Sequence, residues 1–198
     1  ANANFQRENG GWTPLLVACL KGFVNIVKVL FARELIQINQ GNNDGATPLL
    51  IACQNNHVKV VNALLARKEI EINQAANNGA TPLNIASQQG HVKIVNALLA
   101  RKEIQINQAD NNGFTPLSIA CQKGRVKVVS LLLARKEIQI NQANNNGATP
   151  LYMACQEGLV KVVKALLAKK EIDINKLSGE GTPLAAALQQ GHTEIVAL

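Results

Sequence analysis

The apolar positions of this chain keep a helical rhythm in short pieces. Between Val92 and Arg101, Ile94, Val95, Leu98 and Leu99 fall at i, i+1, i+4 and i+5, the spacing of one buried stripe on a helix. Ahead of them, Leu83, Ile85 and Ala86 supply a shorter apolar face. Thr81 stands where a helix needs a capping oxygen, and Pro82 occupies the first turn, where its missing N–H costs nothing. Gly90 is placed to end that helix in a left-handed conformation. Asn77-Asn78-Gly79 upstream is a turn signal, and Ile104, Ile106 and Asn107 lead out through an extended return. One unit therefore reads turn, short helix, tight turn, longer helix, return.

The unit recurs. Thr-Pro stands at Thr13, Thr47, Thr81, Thr115, Thr149 and Thr182, at intervals of 34, 34, 34, 34 and 33 residues. The copies run over about 8–41, 42–75, 76–109, 110–143 and 144–177, with a partial copy at 178–198, in one domain spanning 1–198. Helices this short do not persist alone in water, so each copy must bury its apolar face on its neighbours. The expected fold is an all-α solenoid of stacked helix-turn-helix units. In such an array the shared residues make the scaffold, and specificity lies where copies differ.

The residues Gly79-Ala80-Thr81-Pro82-Leu83, Ala86, Gly90-His91, Ile94-Val95, Leu98-Leu99 and Asn107 together resemble the ankyrin repeat. The resemblance covers about residues 8–198 and implies stacked helix pairs with projecting β-turns. The copies depart from the usual pattern in four ways. Ala100-Arg101-Lys102-Glu103-Ile104 adds a residue after the second helix, which should lengthen that helix or reshape its exit. The family's His after Thr-Pro-Leu is replaced by Leu16, Leu50, Asn84, Ser118, Tyr152 and Ala185. Asn56 takes the place of the helix-ending Gly, and the sixth copy lacks a residue in its turn, which should misplace or shorten its tip.

The resemblance also implies function: a non-catalytic scaffold binding a protein partner on a concave face of turn tips and first helices. The tip residues are Trp12, Asn43, Asp44, Asn77, Asn78, Asn111, Asn112, Phe114, Asn145 and Asn146. The first-helix residues are Lys21, Asn55, Gln89, Lys123, Tyr152 and Glu157. Trp12, Phe114 and Tyr152 stand out as aromatic anchor candidates, since aromatics concentrate binding energy. Asn73, Asn107, Asn141 and Asn175 occupy the setting in which arrays of this family are hydroxylated.

Composition narrows the choice without naming a partner. With 198 residues and 47% hydrophobic content, the chain can bury a large core, yet no apolar run is long enough to cross a bilayer. The opening residues are polar and lack a signal-peptide core, so an intracellular setting is expected; a monomer is the expected state. Both ends read as cuts within a longer array. Cys19, Cys53, Cys121 and Cys155 each follow a repeat Thr by six residues. Equivalent points on packed helices lie about 8–10 Å apart, beyond the roughly 7 Å reach of a disulfide, so buried free thiols are expected.

No catalytic motif appears. His57, His91 and His192 share one repeat position and read as structural; no metal or cofactor motif is present, so no enzyme is expected. The net charge of +7 is carried by repeated basic residues, among them Lys59, Lys93, Lys127 and Lys161. These ladders keep an alternative open, in which the second helices track a nucleic acid or an anionic lipid surface. A spacer or targeting segment of a larger protein is the remaining alternative.

Overall fold

The computed structural model describes residues 4, 10–33 and 36–198. Twelve helices occur among them: α1 (Pro14–Lys21), α2 (Val24–Phe31), α3 (Pro48–Gln54), α4 (Val58–Leu65), α5 (Pro82–Gln89), α6 (Val92–Leu99), α7 (Pro116–Gln122), α8 (Val126–Leu133), α9 (Pro150–Gln156), α10 (Val160–Leu167), α11 (Pro183–Gln189) and α12 (Thr193–Val196). Two compact units form, Ala1–Ala86 with Lys93–Gln105, and Ser87–Val92 with Ile106–Leu198. In the first, α1 packs on α3 and α2 on α4. In the second, α7, α9 and α11 form one row and α8, α10 and α12 another.

Local chemistry sets each helix start. Thr47 Oγ1 accepts the Leu50 N–H at 3.2 Å, and Thr13, Thr115, Thr149 and Thr182 cap their helices in the same way. In copy three, Asn84 stands where the family has His, and its Oδ1 accepts both the Thr81 N–H and the Thr81 hydroxyl. At the far end, Asn56 has φ 58°, the only non-glycine among the described residues with positive φ. Asn tolerates that conformation better than other side chains, so the turn closes without Gly.

The extra residue reshapes the exit and leaves the second helix at two turns. α6 ends at Leu99, short of the Arg101 that the apolar stripe suggested. Arg101 instead begins a separate turn closed by the Ile104 N–H. There its guanidinium donates to the Leu65 carbonyl of the preceding copy and to Glu103 at 2.8 Å. The same turn closes after Arg67, Arg135 and Lys169 in copies two, four and five, so it belongs to the repeat and the Leu65 contact is added to it. The return is also tighter than an extended segment, with the Gln74 N–H donating to the Glu71 carbonyl at 3.2 Å.

One Asn per copy then ties each exit to the next. Asn39 Nδ2 donates to the Glu69 carbonyl at 2.7 Å while its Oδ1 accepts the Glu71 N–H at 3.0 Å. Asn73 holds Glu103 and Gln105 in the same manner, Asn107 holds Glu137 and Gln139, and Asn141 holds Glu171 and Asp173. Each such amide satisfies two backbone groups that the reshaped exit would otherwise leave to solvent.

The four cysteines are free and buried in the helix stack. Burial pushes the Cys19 thiol up to about 12 and the Cys155 thiol to about 11, and raises Cys53 and Cys121 as well. In the sixth copy, the shortened turn closes as a Ser178–Gly181 bridge, tighter than the five-residue tips before it.

Candidate functional site

The turn tips are built by acceptor side chains folding back on their own backbone. Asn42 Oδ1 accepts the Asp44 and Ala46 N–H groups at 3.1 and 2.9 Å. Asp110 Oδ1 does the same for Asn112 and Phe114, and Asn144 Oδ1 for Asn146 and Ala148. Neighbouring tips are then stitched together. Asn77 donates its side-chain amide to the Asn43 carbonyl at 2.9 Å and its backbone N–H to the Asp44 carbonyl at 2.9 Å. Asn145 repeats both bonds on Asn111 and Asn112.

Between the tips and the first helices of the first unit lies a cleft of about 610 Å³. Trp12, Asp44, Asn55, Asn77 and Asn78 come together there, five of the residues singled out from the sequence. Its floor is apolar: Leu20, Leu50, Ile51, Ala80 and Ile85. A second cleft of about 450 Å³ lies in the other unit, where Phe114, Asn146 and Tyr152 meet Gln122, Met153, Gln156 and Glu180.

The remaining candidates line neither cleft. Asn43, Asn111, Asn112 and Asn145 are exposed on the tips. Lys21, Gln89, Lys123 and Glu157 are exposed where the first helices end. Tyr152 is 3% exposed, so its ring belongs to the core beneath the second cleft. Its hydroxyl alone reaches outward and donates to Glu180 at 2.9 Å. Burial first, and the Glu180 carboxylate next, raise the phenol above its ordinary range.

Sequence reasoning placed Ile85 in the helix stripe and passed over Ile51 and Met153. All three share one repeat position and line a cleft. The available signal was an apolar residue four places after each Thr, widening the apolar face of the first helix beyond what stacking on a neighbour uses.

The histidines are held by the scaffold. His57 Nε2 lies 2.9 Å from the Leu20 carbonyl and His192 Nε2 lies 3.0 Å from the Gln156 carbonyl. A carbonyl can only accept, so in both residues that nitrogen carries the proton. In copy four, Arg125 Nε donates to the Gln88 carbonyl at 2.9 Å from the same repeat position. Among the described residues, no three His, Cys, Asp or Glu side chains gather as a metal site, and no helix is long and apolar enough to cross a membrane.

On the second helices, Lys59, Lys93, Lys127 and Lys161 are exposed. The neighbouring arginines are paired: Arg67 with Glu69 at 2.9 Å, Arg101 with Glu103 at 2.8 Å and Arg135 with Glu137 at 3.6 Å. Arg67 also lies over the Phe31 ring, 5.3 Å from its centroid.

Stacked pairs of short helices, each opened by a capped Thr-Pro and joined through projecting turns, define an all-helical repeat protein. The family model for ankyrin repeats matches residues 1–76, 68–144 and 136–198. The chain belongs to the ankyrin-repeat family, whose repeats generally act as protein-interaction modules. No curated protein sequence matches it.

Proposed function

We propose that the chain is a non-catalytic scaffold that grips a partner protein on the face made by its turn tips and first helices. The carrying observation is the first-unit cleft. It combines an aromatic wall, Trp12, an aliphatic floor of Leu50, Ile51 and Ile85, an amide rim and the carboxylate of Asp44. An apolar floor with a few convergent polar groups is the usual composition of a recognition cleft, and aromatic residues supply its anchors. The second cleft offers Phe114 over Met153 in the same role. The exposed amides of Asn112 and Asn146 at the tips add adaptable hydrogen bonds.

The exposed Lys59, Lys93, Lys127 and Lys161 favour a second reading, capture of a polyanion by the second helices. One pair of experiments separates the two. Photocrosslinking groups placed at Asn78 and at Lys93 report which face a captured protein touches. A partner crosslinked from Asn78 and lost on Trp12→Ala supports the first reading. Fluorescence anisotropy of mixed-sequence DNA at about 50 and about 200 mM salt reads the second, because phosphate neutralisation makes affinity fall steeply with salt. Tight, salt-sensitive DNA binding that persists in Trp12→Ala, with no crosslink from Asn78, overturns the proposal.

A further inference from the structure

The chain carries 20 Lys and Arg residues against 13 Asp and Glu, yet neither cleft follows that balance. Among the described residues, each cleft is lined by a single charged side chain and by no Lys, Arg or His. That side chain is Asp44 in the first cleft and Glu180 in the second. Each carboxylate shares its cleft with an aromatic ring, Trp12 in one and Phe114 in the other. Both rings stand directly before a repeat Thr, where copies two, three and five have Ala46, Ala80 and Ala148.

The fold does not need the Asp44 carboxylate. Asn42 closes the tip of copy two, and Asp44 serves the scaffold through its backbone N–H and carbonyl. Its carboxylate accepts one long bond, from the Asn42 amide at 3.5 Å. Asn78, Asn112 and Asn146 hold the same repeat place in copies three to five, so a neutral amide suits the turn equally well. Glu180 Oε2 accepts the Tyr152 hydroxyl at 2.9 Å, which leaves the other carboxylate oxygen for a further donor.

A guanidinium can use a ring and a carboxylate at once. Being planar, it stacks on the aromatic face while its N–H groups donate within its own plane; an ammonium lacks that plane. The chain holds one such arrangement internally, where Arg67 lies 5.3 Å from the Phe31 centroid and pairs with Glu69 at 2.9 Å. We propose that each cleft takes an arginine side chain of the partner, its guanidinium on Trp12 or Phe114 and hydrogen-bonded to Asp44 or Glu180. An apolar residue beside that arginine covers the floor, Leu50 and Ile51 in the first cleft and Met153 in the second. Such recognition rests on the reading of tips and first helices as the protein-binding face, and it specifies the partner as an arginine-bearing apolar segment.

Selection of a displayed random-peptide library on the immobilised full chain supplies the probes, which are then labelled and titrated by fluorescence anisotropy. Recovered peptides are expected to share an arginine beside an aliphatic or aromatic residue. Replacing that arginine by citrulline keeps its shape and removes its charge, and should weaken binding about tenfold or more, the effect of a hydrogen bond to a charged group. The Asp44→Asn/Glu180→Gln chain should lose the same factor for the arginine peptide and nothing further for the citrulline one. Its melting curve should match the parent, since Asn is native at the Asp44 place in three other copies. The Trp12→Ala/Phe114→Ala chain likewise carries the Ala that copies two, three and five already have. Peptides that need these two rings yet tolerate citrulline overturn the arginine assignment and leave the binding face standing. Peptides indifferent to both rings overturn the assignment and the face together. A library that yields no binder also overturns the assignment, while the crosslink from Asn78 reports separately on the face.

Discussion

Leu117 and Leu184 each follow a repeat Thr by two residues, in copies four and six, yet one is fully buried and the other half exposed. Their local sequences, caps and helices are alike. What differs is the neighbour on the far side. A repeat of this kind does not bury its own face; it supplies half of an interface, and the adjoining copy supplies the hydrophobic stabilisation. The same residue type is thus core in one copy and surface in another.

Thiol chemistry gives the sharpest way to break that comparison. Cys121 and Leu188 share a repeat position, one buried and one 58% exposed. Native Cys121 should resist a thiol reagent until the stack opens, because burial raises its pKa and bars access. Leu188→Cys should label at the rate of a free thiol. Equal rates for the two sites under native conditions would show that copy four is no better covered than copy six.

Truncation extends the test to stability. Leu117→Ala removes a fully buried side chain and is expected to cost about 2–5 kcal/mol in urea unfolding. Leu184→Ala should stay within about 0.5 kcal/mol, as exposed substitutions do. Similar losses at both positions would mean that the covering copy contributes little.

The Asn tie sharpens the same contrast at smaller magnitude. Asn107→Ala leaves the Glu137 carbonyl and the Gln139 N–H without their partner and should cost about 1–3 kcal/mol. Asn175 stands at the equivalent place with its backbone N–H bonded to Asp173, and among the described residues it clamps no later exit turn, so Asn175→Ala should be milder. A smaller effect still is expected at Asn56, where Ala must adopt the left-handed backbone at a cost of about 1–2 kcal/mol, while Gly does so freely.

Acidity gives the smallest effect. The Glu69 and Glu103 carboxyls are held below their ordinary value of 4.5, first by their own backbone N–H groups and then by Arg67 and Arg101. A depressed folded pKa favours the ionised form, so its stabilisation is complete above the ordinary value and lost as pH falls through the depressed one. Both groups are exposed and screened, so Glu103→Gln should scarcely change the midpoint at neutral pH and should flatten the acid limb slightly. A large neutral-pH loss would contradict this.

The Thr-Pro period, the capping threonines and the αL residue at each first-helix end were legible because they act over a few residues, where propensity and side-chain hydrogen bonds decide. Seats in a cleft were less so. Trp12, Asp44, Asn55, Asn77 and Asn78 could be grouped by repeat position, yet the same logic placed Asn43 and Asn111 beside them. Their carbonyls instead hold the neighbouring tips. Ile85 read as core and lines the open cleft, while Tyr152 read as open and lies buried. Periodicity gives the direction of a side chain about its own helix. It does not say whether a neighbouring element stands in that direction.

By itself, then, the sequence determined the repeating unit, its helix limits to within two residues and the all-helical class, since these follow from short-range sterics and hydrogen bonding. Only the tertiary structure decided that Arg101 reaches the Leu65 carbonyl and that one Asn per copy clamps the next exit. Each depends on groups about 30 or more residues apart in the chain, and the free energy of such contacts exists only once the copies have stacked.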